Sequence, residues 1–297
     1  MFELPDIGLV IGQLRSGMTT AMFLFLIASG LSLIFGVLKI INFAHGSLYM
    51  IGAYIAWHLT TLLPQAGYSC WVAVLIASCS VAILGGLVER FLLRYMYNRE
   101  ELYQLLFTYA LVLIFSDACK FIWGTQPHSV SKPAGLTGAF DVMGVKFPSY
   151  DLVIMLIGPM IAFGFWVLLN RTSYGRIIRA AALDREMLGA LGTNVSNLYT
   201  GMFMLASFLA GLSGALVTPI KSVVPGMDVE IIIEAFIVVV IGGLGSLWGT
   251  LFGAIIYGFV LAFGILLFPR FSIFAAFILM AVVLVVRPWG LLGRPIK

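Results

Sequence analysis

The residues of this chain best equipped to meet something in water form one polar stretch, Gly175-Arg-Ile-Ile-Arg-Ala-Ala-Ala-Leu-Asp-Arg-Glu-Met-Leu-Gly-Ala-Leu-Gly-Thr-Asn194, set between long apolar runs. Read as one helix, it gathers Ile177, Ala180, Ala181, Leu188 and Leu191 on a face with Asp184 in its middle. Arg179, Ala182, Glu186 and Gly189 lie opposite. The small alanines let another surface approach closely. Composition alone favours a helix lying on lipid headgroups, its arginines near anionic lipid. A carboxylate facing acyl chains argues against that.

Three further groups carry polar chemistry at apolar positions. Gly36-Val-Leu-Lys-Ile-Ile-Asn-Phe-Ala-His-Gly-Ser47 puts Asn42 and His45 near membrane depth, where irregular backbone survives only if buried in protein or lining a cavity. The local alternative is that Asn42 caps the following helix and His45 packs at an interface. Asp117 and Lys120, three residues apart, share a helical face and compensate each other, and Trp123 beside them suits an aromatic belt. Pro225-Gly-Met-Asp228, Glu234 and Gly242-Gly-Leu-Gly-Ser246 permit either a broken helix whose free N–H groups meet a carboxylate or tight glycine packing between helices.

Covalent chemistry has no visible equipment. No nucleophile stands with a base, no catalytic carboxylates pair, and no phosphate-binding loop is present. Cys70, Cys79 and Cys119 lie in or beside apolar runs without ligand or redox spacing, so they read as small apolar fillers and imply no metal.

The elements that must position these residues are membrane spans. Of 297 residues, 61% are hydrophobic and 10% charged, and the mean hydropathy is +1.08. Continuous apolar runs of about 20 residues read as helices and not as the alternating strands of a barrel. Candidate spans fall near 9–36, 43–63, 69–93, 103–124, 150–169, 200–219, 231–247, 250–268 and 271–287. The breaker at 242–246 and the turn at Phe268-Pro-Arg270 allow two reversals, or one reversal and a re-entrant half-helix, so eight or nine spans are expected. The fold class is all-α polytopic, a single transmembrane domain over 1–297.

Arg90, Arg94, Arg99, Arg171, Arg176, Arg179, Arg185, Arg287, Arg294, Lys297 and Lys39, eleven of seventeen basic residues, fall on one side of that arrangement. The bias predicts that side to be cytoplasmic, with an external N-terminus and a cytoplasmic C-terminus. The net charge of +4 is thereby accounted for without nucleic acid. The 125–149 connection becomes the largest outer loop, and 170–199 faces the cytoplasm. Met1-Phe-Glu-Leu-Pro-Asp6 lacks the features of a cleaved leader and is expected to be retained. One internal echo, Gly46-Ser-Leu-Tyr49 with Gly52-Ala-Tyr-Ile55 against Gly245-Ser-Leu-Trp248 with Gly253-Ala-Ile-Ile256, hints at repeated halves with the substrate path between them.

Together these segments resemble the permease subunits of bacterial ABC importers for branched-chain amino acids, specifically the LivH type. The likeness is carried by Gly36 to Gly46 with its Asn-Phe-Ala-His-Gly run, Gly52-Ala-Tyr54, Glu89-Arg90, Asp117 to Gly124, Gly175-Arg176 to Asn194, Gly242 to Ser246 and the tail Pro288-Trp-Gly-Leu-Leu-Gly-Arg-Pro295. It implies a multi-pass inner-membrane permease, not an enzyme, that itself binds no cofactor. Its implied partners are a second LivM-like permease, two cytoplasmic LivG/LivF-like ATPases that use ATP, and a periplasmic substrate-binding protein. It makes 175–194 the cytoplasmic coupling loop, with Gly175, Arg176, Arg179, Ala180, Ala181, Asp184, Gly189, Gly192 and Asn194 as candidate ATPase contacts; Arg179-Ala-Ala-Ala182 with Gly189 or Gly192 approximates the family's Glu-Ala-Ala-glycine signature. Asn42, His45, Gly46, Gly242, Gly243 and Gly245 are expected near the translocation path. Transport would proceed by alternating access, with ATP favouring one of two conformations. Related permeases carry urea or short amides, and an ATP-independent channel or a membrane-embedded enzyme is the alternative from another class.

Overall fold

The computed structural model describes residues 7–63, 69–142, 144–267 and 269–293. The chain runs through α1 (Ile7–Leu38), α2 (Ala44–Leu62), α3 (Ser69–Phe91), α4 (Glu101–Trp123), a hairpin of β1 (Ala139–Val142) and β2 (Val145–Pro148), α5 (Ser149–Arg171), α6 (Ser173–Leu183), α7 (Arg185–Ala190), α8 (Val195–Val217), α9 (Met227–Gly242), α10 (Leu247–Leu267) and α11 (Ser272–Val286). Apart from that two-stranded hairpin, the described architecture is helical and polytopic, as expected. Among the described residues, α1, α3, α4, α5, α8 and α10 are long and apolar enough to cross a membrane. The three other expected spans are α2, α9 and α11. The 19 residues of α2 include two histidines and two tyrosines. With 16 and 15 residues, α9 and α11 rise only about 24 and 22 Å, short of the roughly 30 Å hydrocarbon core.

Over residues 21–34 α1 is apolar on nearly every face and wholly buried, as suits a helix enclosed by protein, and it packs against α10, α8, α5 and α9. α2 is held by α8, α3, α9 and α4. Glycines let backbones meet: a Cβ at Gly52 would stand 2.6 Å from the Gly211 carbonyl oxygen, and one at Gly214 would collide with the Tyr49 carbonyl. α4 and α5 turn large apolar side chains outward, among them Leu113, Ile114, Phe121, Leu156, Met160 and Phe163, as lipid contact requires.

The two ends of the bundle differ. Lys39, Arg90, Arg94, Arg99, Arg171, Arg176, Arg179, Arg185 and Arg287 belong to connections at one end; Arg294, Lys297 and the Met1–Asp6 segment lie outside the described residues. The other end carries the hairpin, whose register pairs Ala139 with Pro148 and Val142 with Val145. There, His128 and Val223 exchange backbone hydrogen bonds at 3.0 and 2.7 Å, joining the 125–138 stretch to the segment before α9. The His128 ring stacks on Trp57 at 3.6 Å.

The two turns noted in the C-terminal third are both reversals. Gly243 and Gly245 take positive φ between α9 and α10, and a 3-10 turn over Pro269–Phe271 separates α10 from α11. The irregular backbone lies instead before α9. Gly226 (φ +94) opens that helix, and Asp228 in its first turn is 1% exposed, so α9 starts inside the bundle.

Candidate functional site

The polar stretch between α5 and α8 folds as a short helical hairpin. Thr172 caps α6, its hydroxyl oxygen accepting the Gly175 N–H at 3.1 Å, and a Cβ at Gly175 would collide with the Leu168 and Leu169 carbonyls. Ile178 and Ala181 bury against Val37, Phe165, Leu188, Leu198 and Tyr199 in a core distinct from that of the main bundle. Arg179 reaches back to the Leu169 carbonyl, and Arg176 donates to the Ser173 hydroxyl.

The single amphipathic helix expected over this stretch is two helices, because Asp184 leaves helical geometry (φ −151, ψ 101). Its carboxylate accepts the N–H groups of Glu186 and Met187 at 3.0 and 2.9 Å, capping α7. Asp184 is therefore not in the middle of an apolar face. Leu191, expected on the inner face with Leu188, is 75% exposed, whereas Leu188 is buried. Gly192 takes φ +84 after α7, and Asn194 caps α8 by accepting the Asn197 N–H at 3.0 Å. Of the remaining candidates Ala180 is half-buried and Gly189 exposed. The hairpin thus presents Leu183, Met187 and Leu191, 82%, 60% and 75% exposed, around the Asp184 cap. Arginines on an apolar-edged hairpin outside the spans suit a protein contact.

A buried network ties the root of this hairpin to α3. Glu89 is 0% exposed; it accepts the Tyr97 hydroxyl at 2.6 Å and the Thr200 hydroxyl at 2.5 Å. Arg94 donates to Thr200 at 3.1 Å and stands 3.9 Å from Glu89. Burial, reinforced by the bond to Glu89, pushes the Tyr97 hydroxyl above its ordinary pKa. Tyr97 meets Tyr199 edge to face at 5.5 Å, and both rings line a cavity of about 390 Å³ with Lys39, Glu101 and the 181–186 segment.

Asn42, His45 and Gly46 lie where the α1–α2 link meets the start of α9. Asn42 is fully buried and neither its amide oxygen nor its nitrogen has a partner, so it does not cap α2, whose N-cap is Phe43. His45 is fully buried, with Nε2 at 3.1 Å from the Ile27 carbonyl. A Cβ at Gly46 would collide with the Asp228 carbonyl. The next residue, Ser47, donates to Asp228 at 2.9 Å.

The glycines of 242–246 gather at the arginine-bearing end. A Cβ at Gly36 would stand 2.7 Å from the Gly245 Cα, and the Gly245 N–H donates to Ser32. Gly243 lies against Gly290 and Gly293 of the tail. Leu291 and Leu292 donate backbone N–H groups to Ile241 and Gly242, satisfying the last carbonyls of α9. Neighbours of these glycines, Gly36, Val240 and Leu244, line a cavity of about 440 Å³ with Lys39 and Trp289. The structure therefore separates the six path candidates into two groups, one inside the bundle and one at its arginine-bearing end.

The Asp117–Lys120 pair forms at 2.9 Å with both side chains exposed. Among the described residues no group of three His, Cys, Asp or Glu side chains converges as a metal site. A third cavity, of about 170 Å³, collects Arg15, Asp151, Lys221 and Glu234 from four parts of the chain. Of these only Glu234 stands out in the sequence, since nothing local brings the other three to it.

The sequence profile of the family described as "Branched-chain amino acid transport system / permease component" matches residues 13–286. The permease protein BraD of a high-affinity branched-chain amino acid transport system of Pseudomonas aeruginosa is 30% identical, over 98% of each chain. LivH of the corresponding Escherichia coli system is 26% identical over 95% of each chain. A probable LivH of Methanocaldococcus jannaschii is 27% identical over 91% of this chain and 88% of its own.

Proposed function

The chain belongs to the family of permease components of branched-chain amino acid transport systems, and from that premise we propose how it works within an ATP-driven importer. It is a multi-pass transport subunit and not an enzyme. Its partners are a second permease of LivM type, two cytoplasmic ATPases of LivG and LivF type and a periplasmic binding protein. The membrane is the bacterial inner membrane. The arginine-bearing end faces the cytoplasm, as the distribution of basic residues favours, and the end with the β1–β2 hairpin faces the binding protein.

The observation that carries the coupling role is the α6–α7 hairpin, which holds Leu183, Met187 and Leu191 out around the Asp184 cap. Gly175, Ala180 and Ala181 keep that hairpin close to its support. Arg176, Arg179 and Gly189 face the ATPase, while Asp184, Gly192 and Asn194 set its turns. ATP drives import only if the two permease conformations hold the ATPases differently. Here the difference travels from the hairpin through Tyr199 and Tyr97 to Glu89 on α3. Asn42, His45 and Gly46 lie along the path inside the bundle, and Gly242, Gly243 and Gly245 let helices shift at its cytoplasmic mouth.

Proteoliposomes containing this chain, its partner permease and the ATPases, with loaded binding protein outside, test the reading. ATP-dependent uptake of labelled leucine is expected. Equal uptake with and without ATP would overturn the importer mechanism, and ATP-driven urea uptake without leucine uptake would overturn the cargo.

A further inference from the structure

Resting on the permease reading, we propose that the cavity between α1, α5, the end of α8 and α9 is a transit subsite for a zwitterionic amino acid. The carboxylate is drawn by Lys221 and the ammonium by Glu234.

Four charged side chains line this cavity, two of each sign. Arg15 and Asp151 form an ion pair, which leaves their charges mutually compensated. Lys221 and Glu234 are different. Among the described residues the ion pairs are Arg15–Asp151, Arg94–Glu89 and Lys120–Asp117, so Lys221 and Glu234 face one cavity without closing to 4 Å. Two separated, opposite charges across a small space match a molecule that carries both charges itself. They match neither a net anion, a net cation nor an uncharged amide as well.

The setting gives the charges a reason to be there. Glu234 lies six residues beyond Asp228, about 9 Å further along α9, and a carboxylate on a helix inside a membrane bundle has to face protein or a water-filled space. Here it faces the cavity. Lys221 sits at the mouth on the α8–α9 connection, two residues before the Val223 backbone pairing with His128. Phe23, Leu24 and Ile231 supply an apolar wall beside the charges, where a branched aliphatic side chain loses water favourably. The volume of about 170 Å³ holds one small solute or several waters.

The test uses the complete transporter in nanodiscs without binding protein, read by saturation-transfer NMR. The probes are leucine, 4-methylpentanoate, which lacks the ammonium, and 3-methylbutylamine, which lacks the carboxylate. Leucine is expected to bind at least tenfold more tightly than either truncated probe. Glu234→Gln is expected to weaken leucine binding at least tenfold while the ATPases remain assembled. Lys221→Gln, at an exposed position, is expected to erase the preference for leucine over the amine. Unchanged leucine binding in both variants would overturn the subsite, as would equal affinity of the unaltered complex for all three probes. ATP-driven leucine uptake that is normal in both variants would overturn the subsite and leave the permease reading standing. No leucine uptake by the unaltered complex would remove that reading and the subsite with it.

Discussion

Ser47 in α2 donates its hydroxyl to Asp228 in α9 across 181 positions of sequence, at 2.9 Å and in full burial. The second Asp228 carboxylate oxygen has no partner, so the serine is the one side-chain donor that this carboxylate holds among the described residues. Ser47→Ala leaves a buried carboxylate without it, at a cost of about 1–3 kcal/mol. The melting temperature of the detergent-solubilised complex is expected to fall. Ser47→Thr, which keeps the hydroxyl, is expected to fall less; an equal fall would show that packing, not the hydrogen bond, matters at this position.

Asp184 interrupts the polar hairpin and caps its second helix. Removing an N-cap costs about 0.5–2 kcal/mol, enough to fray a helix of six residues. Asp184→Ala and Asp184→Lys are expected to lower leucine uptake severalfold while ATP hydrolysis continues, and Asp184→Asn, which keeps the capping oxygen, to preserve coupling. Equal uptake by all three variants would remove the cap from the mechanism.

Glu89 receives two hydroxyls and neighbours Arg94 while fully buried. Hydrogen bonds to a charged group are worth about 1.5–3 kcal/mol, so Glu89→Ala is expected to destabilise the complex more than Tyr97→Phe, which removes a single donor. Thermal unfolding followed by tryptophan fluorescence orders the two. The reverse order would show that the Tyr97 ring, not the carboxylate, anchors this corner.

Gly214 and Gly12 form a matched pair of controls. A Cβ at Gly214 meets the Tyr49 carbonyl, a backbone atom with little room to retreat, whereas a Cβ at Gly12 has nothing within 4 Å. Overpacking of this kind costs about 1–3 kcal/mol. Gly214→Ala is expected to reduce the yield of assembled transporter and Gly12→Ala to leave it unchanged or higher. Equal yields would mean that α2 and α8 can separate at no cost.

Much of the architecture was legible because apolar runs punctuated by glycine, proline and arginine mark helices directly. The family likeness was equally legible, since the Asn42 to Gly46 run and the 175–194 stretch are continuous in sequence. The division of 175–194 was not, because apolar periodicity runs on through Asp184 to Leu188 and gives no sign of a break. Nor was the buried start of α9, since the partner that receives Asp228 belongs to α2. The alternative reading of Asn42 as a cap rested on how commonly asparagine before a helix caps it; here the chain is already turning inside the bundle and Phe43 takes that place. The hairpin at 139–148 passed as loop, its Gly144 (φ +81) being one glycine among several in that connection.

The pairing of Arg15 with Asp151 has a consequence in time. α1 is translated early, yet its ion-pair partner emerges 136 residues later, and Gly258, which packs on Gly17, later still. At about 5–20 residues per second, Arg15 waits roughly 7–27 s for its counter-ion. Throughout that interval a guanidinium sits uncompensated near the end of a newly made helix. The insertion machinery or the headgroup layer therefore has to shelter it until α5 arrives.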